Sequence, residues 1–201
     1  PAVSLTLEKN LPVASGIGGG SADAAATLRL LGRHWQTQLT GSEVAELGLE
    51  LGADVPMCLK SRPLMARGIG EDLEERPMAE PLYLVLANPG VAVSTPAIFK
   101  LLSCAFNPPL PDMPAAPDGH AMADWVGSAR NDLAAPARSI APEITSCLNA
   151  LERSGASGVA MSGSGATCFG LFPDFEMAQQ AATEMSQNHP GWFIQATRTV
   201  G

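Results

Sequence analysis

The sequence predicts an α+β protein in two parts, the second built on an antiparallel sheet. Three observations carry that expectation. A glycine-rich loop runs straight into an alanine-rich helical segment near the start. A continuous apolar run at 82–87 reads as a central strand covered on both faces. From residue 82 onward the order is strand, helices, strand, strand, helix, strand, a split β-α-β pattern. The composition changes after the proline-flanked stretch 77–81, so the boundary is placed between a 1–80 domain and an 81–201 domain.

Val3, Leu5 and Leu7 alternate with Ser4, Thr6 and Glu8, which predicts a half-buried strand. It opens at the first residue, and the expectation is a chain cut from something longer. The stretch from Leu11 to Ala26 is the organising element of the chain. Gly16, Gly18, Gly19 and Gly20 let a ligand approach the backbone, and Ser21 is placed as an N-cap. Ala24, Leu28, Leu31 and Trp35 then share one helical face. Unpaired N–H groups and the positive end of a helix dipole meet at one point, which makes an anion site of phosphate size. A plain flexible turn is the weaker reading, since one glycine suffices for it. The loop has no Gly-Lys-Ser/Thr and is not a Walker A loop. It lacks the last glycine of G-x-G-x-x-G, and the protein-kinase glycine loop does not match either. Asp23 reads as dipole compensation in the first turn of the helix.

Thr40 and Glu43 form a capping box, with Leu39 and Val44 as its hydrophobic staple. Val44, Leu47 and Leu51 are the expected buried stripe, and Gly52 the C-cap. Pro56 pushes Val55 away from helical geometry, which puts Asp54 on a sharp helix-to-strand turn. Two readings of Asp54 stand level: a turn-capping aspartate, or an acceptor aimed into a cleft. Residues 57–76 read as paired short strands around Gly68-Ile69-Gly70-Glu71, with Glu71, Asp72, Glu74 and Glu75 as a solvated face.

In the second part, Ser94-Thr95-Pro96 opens a short helix carrying Ile98 and Phe99, with Pro96 at its first position. Residues 105–119 hold five prolines and read as a surface loop. Asn131-Asp132-Leu133 opens one helix. Pro142 starts another, with Ile144, Leu148 and Leu151 inward and Gly155 at its end. Strands at 159–162 and 167–172 flank a second glycine turn, Gly163-Ser164-Gly165. A helix at 174–187 with Met177, Ala181 and Met185 inward precedes a closing strand at 192–200.

Composition narrows the function classes. A 46% apolar content without low-complexity tracts describes a soluble globular chain, with no apolar run long enough for a bilayer and no secretory leader pattern. A net charge of −8 argues against nucleic acid. Lys9, Lys60 and Lys100 are the only lysines, so a bound polyphosphate would be held by amides, arginines or metal. Cys58, Cys104, Cys147 and Cys168 lie far apart in apolar settings, as buried thiols of a cytoplasmic protein, without zinc or disulfides. The hydrolase G-x-S-x-G elbow is absent, and a dinucleotide-dependent oxidoreductase lacks its glycine spacing.

Three stretches together carry a resemblance: Leu11-Pro12 to Ala25 with its glycines, Leu51-Gly52-Ala53-Asp54-Val55-Pro56, and Met161-Ser162-Gly163-Ser164-Gly165-Ala166-Thr167. The combination resembles the GHMP small-molecule kinases over essentially the whole chain. The Gly-Ala-Asp-Val-Pro element and Ser94-Thr95-Pro96…Phe99 favour, within that family, a member acting on a cytidine-diphosphate-linked methylerythritol in non-mevalonate isoprenoid synthesis. They weigh against the homoserine, galactose and mevalonate kinases.

The resemblance implies the remainder of an S5-domain-2-like N-terminal domain followed by a ferredoxin-like α/β sandwich. It implies ATP and Mg²⁺ as cofactors. Pro12, Val13, Ala14, Ser15, Gly16, Ile17, Gly18, Gly19, Gly20, Ser21 and Ala22 are the implied phosphate loop, completed by Gly163, Ser164 and Gly165. Asp54 matches the catalytic aspartate that takes the proton of the substrate hydroxyl. Thr95, Pro96 and Phe99 match a cytidine-pocket segment, with Phe99 stacked on the base. Ser21 is a weak candidate for a metal ligand, since a serine at a helix start more often only caps it. The expected partner is a small molecule, with no nucleic acid or membrane, and the expected state a monomer or homodimer. The family's Pro-Ala-Lys-like motif, whose lysine pairs with the aspartate, and its Tyr-His element for cytosine are not found in these residues. Lys9 does not correspond to that lysine. The expectation is a fragment that keeps loop and base and is nearly inactive alone. The rival readings are another kinase of the family or a non-catalytic phosphate-binding module.

Overall fold

The structure is a computed structural model that describes residues 2–37, 40–104 and 107–200. The first part contains α1 (Gly19–Trp35), α2 (Gly41–Leu51) and α3 (Val55–Lys60), then a hairpin of β1 (Leu64–Arg67) and β2 (Asp72–Glu75). Thr40 and Glu43 close the capping box on α2: the Thr40 N–H donates to Glu43 Oε2 at 2.7 Å, and the Glu43 N–H donates to Thr40 Oγ1 at 3.3 Å. The Thr40 N–H and the Thr40 hydroxyl, the latter at 2.8 Å, both donate to Glu43 Oε2 and hold that carboxyl below its usual range.

α3 is wedged between α1 and α2. Gly48 of α2 is buried, and a Cβ there would stand 3.2 Å from Leu59 Cδ1 and 3.3 Å from Val55 Cγ1. Arg29 of α1 donates through Nη1 to the carbonyls of Cys58 at 3.0 Å and Leu59 at 3.2 Å. Those carbonyls end α3 and have no partner within the helix, so the guanidinium both satisfies them and ties α3 to α1.

The second part is a four-stranded antiparallel sheet in the order β4-β5-β3-β6, from β3 (Tyr83–Asn88), β4 (Gly158–Met161), β5 (Cys168–Phe172) and β6 (Phe193–Arg198). Helices α4 (Thr95–Lys100), α5 (Gly119–Ser128), α6 (Ala134–Ile140), α7 (Glu143–Arg153) and α8 (Phe175–Asn188) complete it. The side-chain alternation of β3 explains its unbroken apolar run. Val85 and Ala87 enter the main core with Ile144 and Leu151 of α7 and Ala178 and Met185 of α8. Leu84 turns to the opposite face, where Met122 and Ala123 of α5 pack with Leu171. The sheet is therefore covered on both sides. Cys147 and Cys168 lie fully inside the main core; the Cys147 thiol donates to the Ala87 carbonyl at 3.5 Å, and Cys168 beside it, together with burial, pushes it far up from its ordinary value. No described helix is long and apolar enough to cross a membrane.

Several local expectations are corrected. Residues 2–10 form no strand, and Leu5 and Leu7 are 52% and 65% exposed. Alternation alone does not make a strand when no neighbour pairs with it. α1 starts at Gly19 with Gly18 as N-cap, so Ser21 lies inside the first turn and does not cap the helix. Asp23 consequently falls beyond that turn, which holds no acidic residue, and dipole compensation is not its role. Ala25 is the buried residue of α1, while Ala24, Leu28 and Leu31 are half-buried and Trp35 is exposed. In α2 Gly48 takes the buried position and Leu47 and Leu51 are exposed, because α3 packs closely there. The Leu39–Val44 staple lies outside the described residues, since Leu39 is not among them. Val55 is helical after all, with Pro56 at the second position of α3, where its missing N–H costs nothing. Residues 57–60 belong to α3 and not to the hairpin, and Pro96 is likewise second in α4. α5 was not anticipated, although the Ala121 N–H donates to its N-cap Asp118 at 2.8 Å. Asp174 caps α8 in a phase that exposes Met177 and turns Ala178 inward. Cys104 is exposed, not buried.

Leu151→Ala is expected to cost about 2–5 kcal/mol in denaturant unfolding, because the side chain is wholly enclosed. Leu47→Ala, on the exposed side of α2, is expected to stay within about 1 kcal/mol.

Candidate active site

Two glycine turns meet main chain to main chain. The Ser162 hydroxyl donates to the Gly16 carbonyl at 2.9 Å, and the Thr167 N–H donates to the Ser15 carbonyl at 3.1 Å. Gly16 has φ +74°, and a Cβ on it would fall 2.5 Å from the Gly165 oxygen. A Cβ on Gly163, at φ +51°, would fall 2.8 Å from the Gly16 oxygen. Side chains are excluded at both positions by space and by backbone geometry.

The second turn is itself held from the sheet. Asn131 Nδ2 donates to the Met161 and Gly163 carbonyls at 3.0 and 2.8 Å, while its Oδ1 accepts from the Leu133 N–H at 3.0 Å. Buried Asn88 donates to Thr167 Oγ1 at 2.9 Å and accepts from the Gly90 N–H at 2.8 Å. The hydroxyls of Thr95 and Ser164 share a hydrogen bond of 2.7 Å, which brings the start of α4 to the same turn.

Above this floor lies a hollow of about 230 Å³, lined by Lys9, Pro12, Val13, Ala14, Ser15, Gly16, Gly18, Gly19, Gly20 and Ser21. The ladder of α1 begins with the Ala22 N–H on the Gly18 carbonyl at 2.8 Å. The amides of Gly19, Gly20 and Ser21 precede it and have no carbonyl one turn back within the helix. A Cβ built on Gly18 or Gly20 meets nothing within 4 Å, so the mouth of the hollow is open to a ligand. Lys9, assigned by sequence to a strand, instead ion-pairs with Asp23 of α1 beside Gly19. Ile17 does not line the hollow. Ala22 faces a different cavity, of about 540 Å³, together with Arg29 and Cys58.

Asp54 immediately precedes α3, with an exposed side chain that makes no cap bond. The thiol of Cys58, one turn on, is pushed up by burial and then by the Asp54 charge, with Arg29 opposing. Phe99 is 56% exposed on α4, and Pro96 is exposed beside it. Thus Ser15 and Gly16, the 163–165 turn and Thr95 are joined by direct contact, while Asp54 is attached to the cradle through the packing of α3 on α1. Sequence reasoning missed Asn88, Arg29 and the placement of Lys9, and saw Asn131 only as a helix opener. No described group of three His, Cys, Asp or Glu side chains is placed to hold a metal ion.

Residues 1–62 match the family described as GHMP kinases N terminal domain, and residues 114–191 match GHMP kinases C terminal. The chain belongs to the GHMP kinases, a family of small-molecule kinases. Its relatives include proteins named 4-diphosphocytidyl-2-C-methyl-D-erythritol kinase. That of Agrobacterium fabrum is 53% identical over 98% of this chain and 67% of its own length. That of Mesorhizobium japonicum is 49% identical over 100% of this chain and 68% of its own. The chain thus spans about two thirds of the length of these relatives. A crystal structure of 4-(cytidine 5'-diphospho)-2C-methyl-D-erythritol kinase superposes with a TM-score of 0.78 at 31% identity, covering 96% of this chain and 70% of that one. Homoserine kinase from Cytophaga hutchinsonii shares the fold, with a TM-score of 0.72 at 18% identity over 96% of this chain and 68% of that one.

Gly16→Ala is expected to destabilise the protein by about 2 kcal/mol or more, since both φ and the Gly165 carbonyl oppose it. Gly20→Ala is expected to leave thermal unfolding unchanged or raise stability by up to ~1 kcal/mol, through helix propensity alone.

Proposed function

We propose that this chain carries the nucleotide cradle and proton acceptor for ATP-dependent phosphorylation of the 2-hydroxyl of 4-diphosphocytidyl-2-C-methyl-D-erythritol, in non-mevalonate isoprenoid biosynthesis. The observation that carries the reading is the open, amide-lined hollow at the head of α1, floored by a second glycine turn, in a chain whose relatives bear that kinase's name. Its setting is a cytoplasmic monomer or homodimer, with no nucleic-acid or membrane partner. In this reading residues 1–80 and 81–201 are the two domains, with the glycine turns at their seam.

The residues present fit a polyphosphate. Bare amides at 19–21, no side chain across the mouth, and the positive end of a 17-residue helix all favour an anion. When bound, ATP would supply the phosphoryl group and Mg²⁺ the charge neutralisation. Ser15 and Ser21 both lie in the lining of the hollow, and Ser21 is the residue that would hold that cation. Phosphoryl transfer asks the protein mainly to position and to stabilise charge. Residues 12–22 with 163–165 hold the phosphates. Asp54 accepts a hydrogen bond from the substrate 2-hydroxyl and takes its proton as the oxygen attacks. Thr95 and Pro96 line the cytidine pocket, and the exposed ring of Phe99 offers a face for the base.

In a protein of the relatives' full length, Asp54→Asn is expected to lower turnover by about 10²–10⁴ while ATP affinity holds. Near-normal turnover in steady-state assays would remove Asp54 from the role of base. Phe99→Ala is expected to raise the KM for the cytidine substrate by about tenfold, in line with one lost base stack, and to leave the KM for ATP alone.

A further inference from the structure

The hollow at the head of α1 has a single charged side chain among its described lining residues, Lys9. Its ammonium ion-pairs with Asp23 Oδ2 and stands 3.7 Å from where a Cβ on Gly19 would lie. The Lys9 side chain is 29% exposed, although the segment that carries it lies bare. The other lysines are engaged elsewhere: Lys60 pairs with Glu75 at 3.6 Å, and Lys100 ends α4. An exposed ion pair of this kind contributes little to folding. Main-chain amides carry only partial charge, whereas an ammonium adds a full one and has two N–H donors left after Asp23 has taken one.

We propose that Lys9 is a phosphate-binding residue of this site, contacting the nucleotide's phosphates, and that Asp23 is its positioning residue, holding the ammonium at the rim of the cradle. The proposal rests on the reading of the loop as an ATP cradle and adds the one cation among the described residues that line it. Asp23 sits past the first turn of α1, on the surface toward which segment 2–10 folds, so its carboxylate fixes where the Lys9 chain ends. When phosphate enters, the ammonium keeps Asp23 and donates its remaining protons to the ligand.

The test is calorimetric titration of ATP, ADP and adenosine into the chain and into Lys9→Met, Lys9→Arg and Asp23→Asn, with thermal unfolding run on each. Lys9→Met keeps most of the aliphatic stem, and its melting is expected to match the parent. It is expected to weaken ATP and ADP about 10- to 100-fold, the worth of one hydrogen bond to a charged group, and to leave adenosine within about twofold. Lys9→Arg is expected to restore most of the affinity. Asp23→Asn is expected to lose part of it, and the salt dependence of ATP binding is expected to flatten in Lys9→Met. Unchanged ATP affinity in Lys9→Met, or an equal loss for ATP and adenosine, overturns the proposal and leaves Lys9 as a tether between segment 2–10 and α1. If the parent chain binds adenosine as well as ATP, or binds neither, the cradle reading itself falls. Tight ATP binding that ignores Lys9 removes the lysine alone.

Discussion

The close approach of two stretches of main chain, at Gly16 and at Gly163 to Gly165, is the contact on which the rest depends. The 2.5 Å between a hypothetical Gly16 Cβ and the Gly165 oxygen leaves no room for any side chain. Two hydrogen bonds then lock the turns in register, one from the Ser162 hydroxyl and one from the Thr167 amide. A loop that must leave several amides unpaired needs its shape fixed from below, because its own backbone bonds cannot do it.

That support is drawn from the sheet. The turn between β4 and β5 rests on strands whose one face is packed by α7 and α8 and whose other carries α5. Asn131 and Asn88 convert this rigidity into position, Asn131 through two donations and one acceptance and Asn88 through one of each. Thr95 reaches the same turn through Ser164, so the start of α4 inherits the register of the two glycine turns. Placement within tenths of an ångström is what positional catalysis demands, and a close-packed interior is the material that provides it.

Much of this was legible in the residues. The doubly covered strand 83–88, the helix stripe of Ile144, Leu148 and Leu151, the capping box at Thr40 and the glycine loop are local patterns, and local physics decides them. The failures share a cause. Val3 to Leu7 alternate correctly, yet a strand is made by its neighbour, and none pairs with that segment among the described residues. Ser21 has the chemistry of a cap, but Gly18 in a left-handed conformation begins the helix sooner and moves Asp23 off the first turn. Lys9 looked like a strand residue because its partner lies 14 positions away. Asn131 looked like a helix opener because the carbonyls it holds are 30 and 32 residues on. The family resemblance supplied what spacing did not, the likeness of Asp54 and of Thr95, Pro96 and Phe99 to known roles.

The Arg29 bridge between α1 and the end of α3 has a mechanical consequence. With one guanidinium bonded to two carbonyls of α3, the two helices turn as one lever, and the span between the head of α1 and Asp54 is set like the arm of a caliper. The head of α1 is thus held from below by the glycine seam, while Asp54 is held from the side through α3.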